Sequence, residues 1–166
     1  AHVYGPKAHA AWSVQRGCAG LPLRACTLFS SISALTGLGG QANYAAANSC
    51  LDALAESRRG AAQAGVSVQW GPWAEVGMAT GGGVSAHLQT AGYGLIGLAQ
   101  GLVAMGAAVA GGSAVLAVMP VSWSRLLGAG RAMPAMFAAF APRPTAKLDA
   151  ARSIAAADAR PTLGLD

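Results

Sequence analysis

The chain has 166 residues, of which 54% are hydrophobic and only 10% charged, with a formal net charge of +5. That length suffices for one domain with a real core, and so low a charged fraction, against the usual ~25%, suits a chain that buries much of itself or faces a partner. The basic excess is scattered, at Arg16, Arg24, Arg58 and Arg59 and then among acids in the last forty-odd residues, so it makes no aromatic-interleaved stripe for nucleic acid.

The first predicted element is the end of a helix over residues 8–15, which carries Lys7 and is broken near Gly17 and Gly20. Thr27, Leu28 and Phe29 then make a short apolar, β-favouring run ending in two hydroxyls, Ser30 and Ser31. That is the pattern of a buried parallel strand reaching its carboxyl edge. Gly37, Gly39 and Gly40 form a flexible loop, and the Ala-rich segment through Leu54 is predicted as a helix with Tyr44 and Asn48 on one face. Arg58 and Arg59 supply cations to its negative end, and Gly60 is the stop.

Residues 66–70 read as the next parallel strand, ended by Gly71 and Pro72. Residues 73–83, with four glycines, suit either a flexible surface loop or a mobile cover over a site. From Gly94 to Met119 no residue is charged, a length that could cross a membrane. Gln100, six glycines and the lack of aromatic and basic belts at both ends argue against it. A helix over about 96–109, a Gly111-Gly112 turn and a strand over 114–118 account for the same residues, buried between layers. No membrane partner is expected. Residues 127–140 are predicted as a last amphipathic helix with a core stripe of Met133, Met136, Phe137 and Phe140.

Cys18, Cys26 and Cys50 are odd in number and form no Cys-x-x-Cys pair, which points to a reducing, cytoplasmic compartment without disulfides. His2, His9 and His87 make no metal-binding motif, so no metal is expected.

The strand, loop and helix start bring Ser31, Tyr44 and Asn48 toward the carboxyl end of a strand, where open α/β sheets bind ligands. A free phenol, with a pKa near ~10, releases its proton poorly at neutral pH and needs a nearby cation. Lys7 is the only lysine in residues 1–58. Taken singly, Lys7 reads as a solvated helix lysine, Tyr44 as a half-buried tyrosine and Ser31 as a hydroxyl capping a turn. Taken with Asn48, they form a set with coherent roles.

These residues carry a family resemblance. Pro6-Lys7, Ala11-Trp12, Leu28-Phe29-Ser30-Ser31, Gly40-Gln41-Ala42-Asn43-Tyr44-Ala45-Ala46-Ala47-Asn48, Leu51-Asp52-Ala53-Leu54-Ala55 and Trp70-Gly71-Pro72-Trp73 resemble the ketoreductase domain of modular type I polyketide synthases. That domain is a branch of the short-chain dehydrogenase/reductase superfamily. In most of the superfamily the lysine stands four residues after the tyrosine. Here Asn48 holds that place and Lys7 lies upstream, the exchange that marks the synthase ketoreductases.

The resemblance fades after about Phe140 and covers only the second half of the family's domain. It implies an α/β fold, the C-terminal half of a Rossmann-like doubly wound parallel sheet. Residues 1–141 would be this catalytic half, and residues 142–166, rich in Pro, Ala, Arg and Asp, a linker with some helix or disorder.

The implied activity is NADPH-dependent reduction of a β-ketoacyl thioester to a β-hydroxyacyl thioester. The implied partners are an acyl carrier protein bearing the phosphopantetheine-linked chain and the N-terminal half of the same domain, the chain being a piece of a longer megasynthase. Catalytic roles fall to Tyr44 as proton donor, Ser31 on the carbonyl oxygen, Lys7 beside the phenol and the nicotinamide ribose, and Asn48 orienting Lys7 or a water. Lys7, Tyr44, Gly71 and Pro72 would meet the cofactor, with the segment after Pro72 forming a lid.

The dinucleotide fingerprint of the first half is absent, so this chain alone is expected to bind NADPH weakly or not at all and to expose a sheet edge. Thr36 holds the place of a tryptophan that marks one stereochemical class, which leaves the product's configuration open. The alternative is a non-catalytic ketoreductase remnant serving as a scaffold.

Overall fold

The alternation of Val66, Val68 and Trp70 with Ser67 and Gln69 dictates a strand with two chemically different faces. In the computed structural model, which describes residues 3–37, 39–75, 86, 88–128 and 135–140, this stretch is β2 (Val66–Trp70), buried along its whole length. Two parallel neighbours flank it, β1 (Thr27–Ser31) and β3 (Val115–Val118), giving the order β1-β2-β3 among the described residues. Ser31 pairs with Trp70 and Trp70 with Val118, so the three carboxyl ends are level.

A π-helical turn (Gly5–His9) runs into helix α1 (Ala10–Gly17) ahead of the sheet. Parallel neighbours need crossover connections, and both are helical. The short α2 (Ser33–Thr36) and the long α3 (Ala42–Gly60) join β1 to β2, and α4 (Leu98–Ala110) joins β2 to β3. Gly37 and Gly40 have φ of 67° and 73°, the left-handed region in which glycine lets the chain turn between α2 and α3.

The helices take opposite faces of β2. Val66, Val68 and Trp70 form the core with Ile96 and Ala108, and Ala104, Met105, Trp73, Leu116 and Val118 pack against it. Burying a valine or leucine side chain contributes roughly 1.5–3 kcal/mol, which makes this cluster the main apolar support of the sheet. On the other face Ser67 and Gln69 meet Asp52 of α3, whose Ala47, Leu51, Leu54 and Ala55 are buried.

Several local expectations change. Phe29 is 54% exposed because β1 is an edge strand among the described residues, not a strand covered on both sides. Ile96 lies outside the helix: its N–H donates to Pro72 O and its carbonyl accepts from Ala74 N, so α4 starts only after the extended Gly97. That helix is not buried between layers either. It buries Gly101 and Ala108 and leaves Leu98, Leu102, Val103 and Val109 exposed.

Gly60 is the last helical residue of α3, and the left-handed position falls two residues on, at Ala62, with φ 57°. Arg58, in the last turn of α3 as expected, is buried. Its guanidinium donates to Ala64 O at 2.7 Å and to the Gln15 side chain. Arg59 donates to Gly65 O at 2.7 Å and Gly111 O at 3.0 Å. The two arginines thus pin the turn that leads into β2.

The chain divides into two units, Ala1–Ser122, which holds all of the above, and Trp123–Asp166. In the second, the single helix expected over 127–140 is replaced, in the described residues, by α5 (Trp123–Gly128) and a 3₁₀ turn (Ala135–Phe140). A 3₁₀ turn eclipses residues three apart. Phe137 and Phe140 therefore both reach Trp123, at ring distances of 5.6 and 4.3 Å. Only Phe137 is buried, while Met136 and Phe140 are exposed, so the expected core stripe is not formed there.

Met133, the glycine-rich cover from Val76 onward and residues 142–166 lie outside the described residues, as do His2 and His87. The three cysteines are free, and no described helix is long and apolar enough to cross a membrane.

Candidate active site

The alanines of α3 make a slim helix that approaches the sheet closely, and the four-residue spacing sets Tyr44, Asn48 and Asp52 along one side of it. Lys7 comes from the separate π turn, which opens with Pro6 in its first positions. Its Nζ donates to Asn48 Oδ1 at 2.6 Å and to the carbonyl of Phe29 on β1 at 3.1 Å. The same nitrogen stands over the Tyr44 ring, 5.1 Å from its centroid.

Asn48 is fully buried, and its Nδ2 donates to Tyr44 O at 2.9 Å, which turns its oxygen toward Lys7. The structure therefore brings Lys7, Asn48 and Tyr44 together. Two of the ammonium's three N–H donors are engaged, and the third has no partner among the described residues. The Tyr44 hydroxyl makes no hydrogen bond among the described residues.

The two serines at the end of β1 do different things. Ser30 is buried and donates its hydroxyl to Asn48 O at 3.3 Å, tying strand to helix. Ser31, half-buried at the rim, accepts the N–H of Ser33 at 3.2 Å, a local turn just past the strand end. A hydroxyl that accepts one bond keeps its own proton to donate.

Gly71 and Pro72 follow β2 at the same sheet edge. The Gly71 N–H donates to Val118 O at 2.8 Å, and a Cβ there would press on Met119 at 3.1 Å. Pro72 has no N–H, and its carbonyl accepts from Ile96.

Three supporting residues were not legible as such. Tyr4, whose hydroxyl is 3.0 Å from Cys50 Sγ, anchors the π turn to α3, and the Cys50 bond, the neighbouring thiol's charge and slight desolvation push its phenol above the ordinary range. Ser30 read as a rim hydroxyl. Asp52 binds Ser67 and Gln69 and continues the Tyr44 and Asn48 spacing by one step, which was the available signal. No group of metal-ligating side chains occurs among the described residues.

Residues 1–75 match the KR domain family. The polyketide synthase GfsB of Streptomyces halstedii is 41% identical over 125 residues, 75% of this chain and 2% of that protein. Among solved structures, A-type ketoreductases from a modular polyketide synthase superpose with a TM-score of 0.71 at 36% identity, covering 83% of this chain and 28% of that one. The ketoreductase from the first module of phoslactomycin biosynthesis in Streptomyces sp. HK803 gives 0.69 at 38% identity, covering 85% and 31%. The chain thus spans a small part of the synthase it matches and under a third of these solved ketoreductases. Its parallel sheet is part of the Rossmann-like α/β fold they share, and the chain belongs to the ketoreductase domain family of type I polyketide synthases, as a fragment of such a domain.

Proposed function

We propose that this chain contributes the proton-donating half of a ketoreductase that reduces a β-ketoacyl thioester, carried on an acyl carrier protein, to the β-hydroxyacyl thioester. The observation that supports it above others is the Lys7 ammonium, fixed by Asn48 and the Phe29 carbonyl 5.1 Å from the centre of the Tyr44 ring. NADPH is the proposed cofactor, and when bound it supplies the hydride.

Reduction leaves negative charge on the carbonyl oxygen, and this chain's groups answer that charge. Ser31, its proton free, hydrogen-bonds the oxygen, and Tyr44 delivers the proton to it. The positive charge of Lys7, 5.1 Å from the centre of the ring, stands beside the phenol that gives up the proton, and its third N–H is available to a ribose hydroxyl. Asn48 holds Lys7 in place, so the charge keeps its position through the proton transfer. Gly71 and Pro72 line the cofactor side as surface.

The test uses the complete domain with a β-ketoacyl N-acetylcysteamine thioester and NADPH. Turnover is expected, and Tyr44→Phe is expected to reduce it by ~10²–10⁴-fold, the range of a positioned general acid. A Tyr44→Phe enzyme that keeps most of its rate would remove the acid assignment, and a complete domain without turnover would favour the scaffold reading.

A further inference from the structure

The buried side of α3 mixes small and large groups, with one bond from β1, Ser30 Oγ to Asn48 O. Ala47 and Ala55 are wholly buried there, and Leu51 and Leu54 are the only longer apolar knobs. Alanines interlock weakly with a facing surface, so two leucines alone leave the rotation and height of such a helix incompletely set. Directional bonds can set both.

Asp52 supplies them. Its Oδ1 accepts from Ser67 Oγ at 2.6 Å and its Oδ2 from Gln69 Nε2 at 2.8 Å. Both donors are buried and point from the same side of β2. A carboxylate gripped at each oxygen by two neighbouring residues of a fully buried strand is fixed in place and in plane.

We propose that Asp52 is a positioning residue: its clamp on β2 sets the rotation of α3, and through it where Tyr44 and Asn48 meet Lys7. The inference deepens the ketoreductase reading and rests on it, since it names what keeps that proton donor aligned. Asp52 touches neither Lys7 nor the phenol. Side chains lie roughly 5–6 Å from a helix axis, so a rotation of about 10° displaces them by about 1 Å. A misplacement of that size can cost up to about 100-fold in rate.

The experiment uses the complete domain and two substitutions. Asp52→Leu fills the space without direction, whereas Asp52→Asn still accepts from Ser67 and can donate to Gln69 once that amide flips. Asp52→Leu is expected to lower kcat about 10–100-fold with KM within about twofold, while Asp52→Asn stays within about threefold of the parent kcat. Loss of folded protein with unchanged kcat per folded molecule would mean a merely structural role and overturn the proposal.

A second measurement does not depend on turnover. The ¹³Cζ resonance of Tyr44, assigned by its loss in Tyr44→Phe, is expected to move in Asp52→Leu and stay in Asp52→Asn. If the parent domain reduces no thioester, the ketoreductase reading fails, and this resonance alone decides: moved, it supports the clamp, and unmoved, it overturns it. Should Asp52→Leu not fold, Gln69→Leu removes one of the two bonds. It is then expected to cost about 3–10-fold in kcat, and an unchanged kcat would count against the clamp.

Discussion

Lys7 carries three N–H donors, and two of them already have partners inside the protein. Removing the ammonium strands the oxygen of the fully buried Asn48. Lys7→Met is therefore expected to destabilise the chain by ~1–3 kcal/mol, the cost of an unpaired buried polar group, readable by denaturant unfolding. Tyr4 provides a pH-dependent counterpart. Its phenol is held above the ordinary range, chiefly by its bond with Cys50, so the folded state favours the neutral form. The unfolded chain then ionises first as pH rises. The Tyr4 contribution is complete below the ordinary phenol pKa of ~10 and is lost as pH climbs through the raised value. Tyr4→Phe is expected to flatten that part of the stability curve, at and above the ordinary phenol pKa of ~10.

At the scale of elements, two close approaches decide what the helices tolerate. The Trp73 ring lies against Gly101 of α4 so closely that a Cβ there would run into it. Ordinarily Gly→Ala in a helix gains ~1 kcal/mol, but overpacking costs ~1–3 kcal/mol. Gly101→Ala is expected to be destabilising on balance, with changed near-ultraviolet circular dichroism from the Trp70 and Trp73 pair, whose rings are 4.9 Å apart. The end of α3 offers the reverse case. Ala62 sits at φ 57°, where its Cβ is strained. Ala62→Gly is expected to stabilise by ~0.5–1 kcal/mol, read as a higher unfolding midpoint.

For the molecule as a whole, the sheet is the issue. Among the described residues β1 is an edge, and it presents an exposed Phe29. An unpaired strand with a large apolar side chain invites pairing with another copy. The isolated 166-residue chain is accordingly expected to self-associate, and Phe29→Lys to reduce that association in light scattering. Buried Ser33 Oγ and Trp70 Nε1, which have no partner among the described residues, lie at the same carboxyl side of the sheet, just past β1 and at the last residue of β2. In the chain alone, Ser33→Ala is expected to be neutral or to stabilise by up to ~1 kcal/mol, because it removes a buried group that makes no bond.

Much of this was legible in the residues. The alternation through Val66 to Trp70 and the Gly111-Gly112 turn mark elements because side-chain periodicity and glycine freedom are local properties of the chain. Tyr44 and Asn48 could be paired from their spacing alone, since a helix puts residues four apart on one side. Tertiary structure decided the rest. Whether Lys7 reaches the Tyr44 ring, that Ser30 turns inward onto Asn48, and that Asp52 grips Ser67 and Gln69 are contacts between segments distant in sequence. The same is true of Phe29 and α4: a strand's composition does not say which of its edges is paired, and a helix's apolar residues do not say which of its sides is covered.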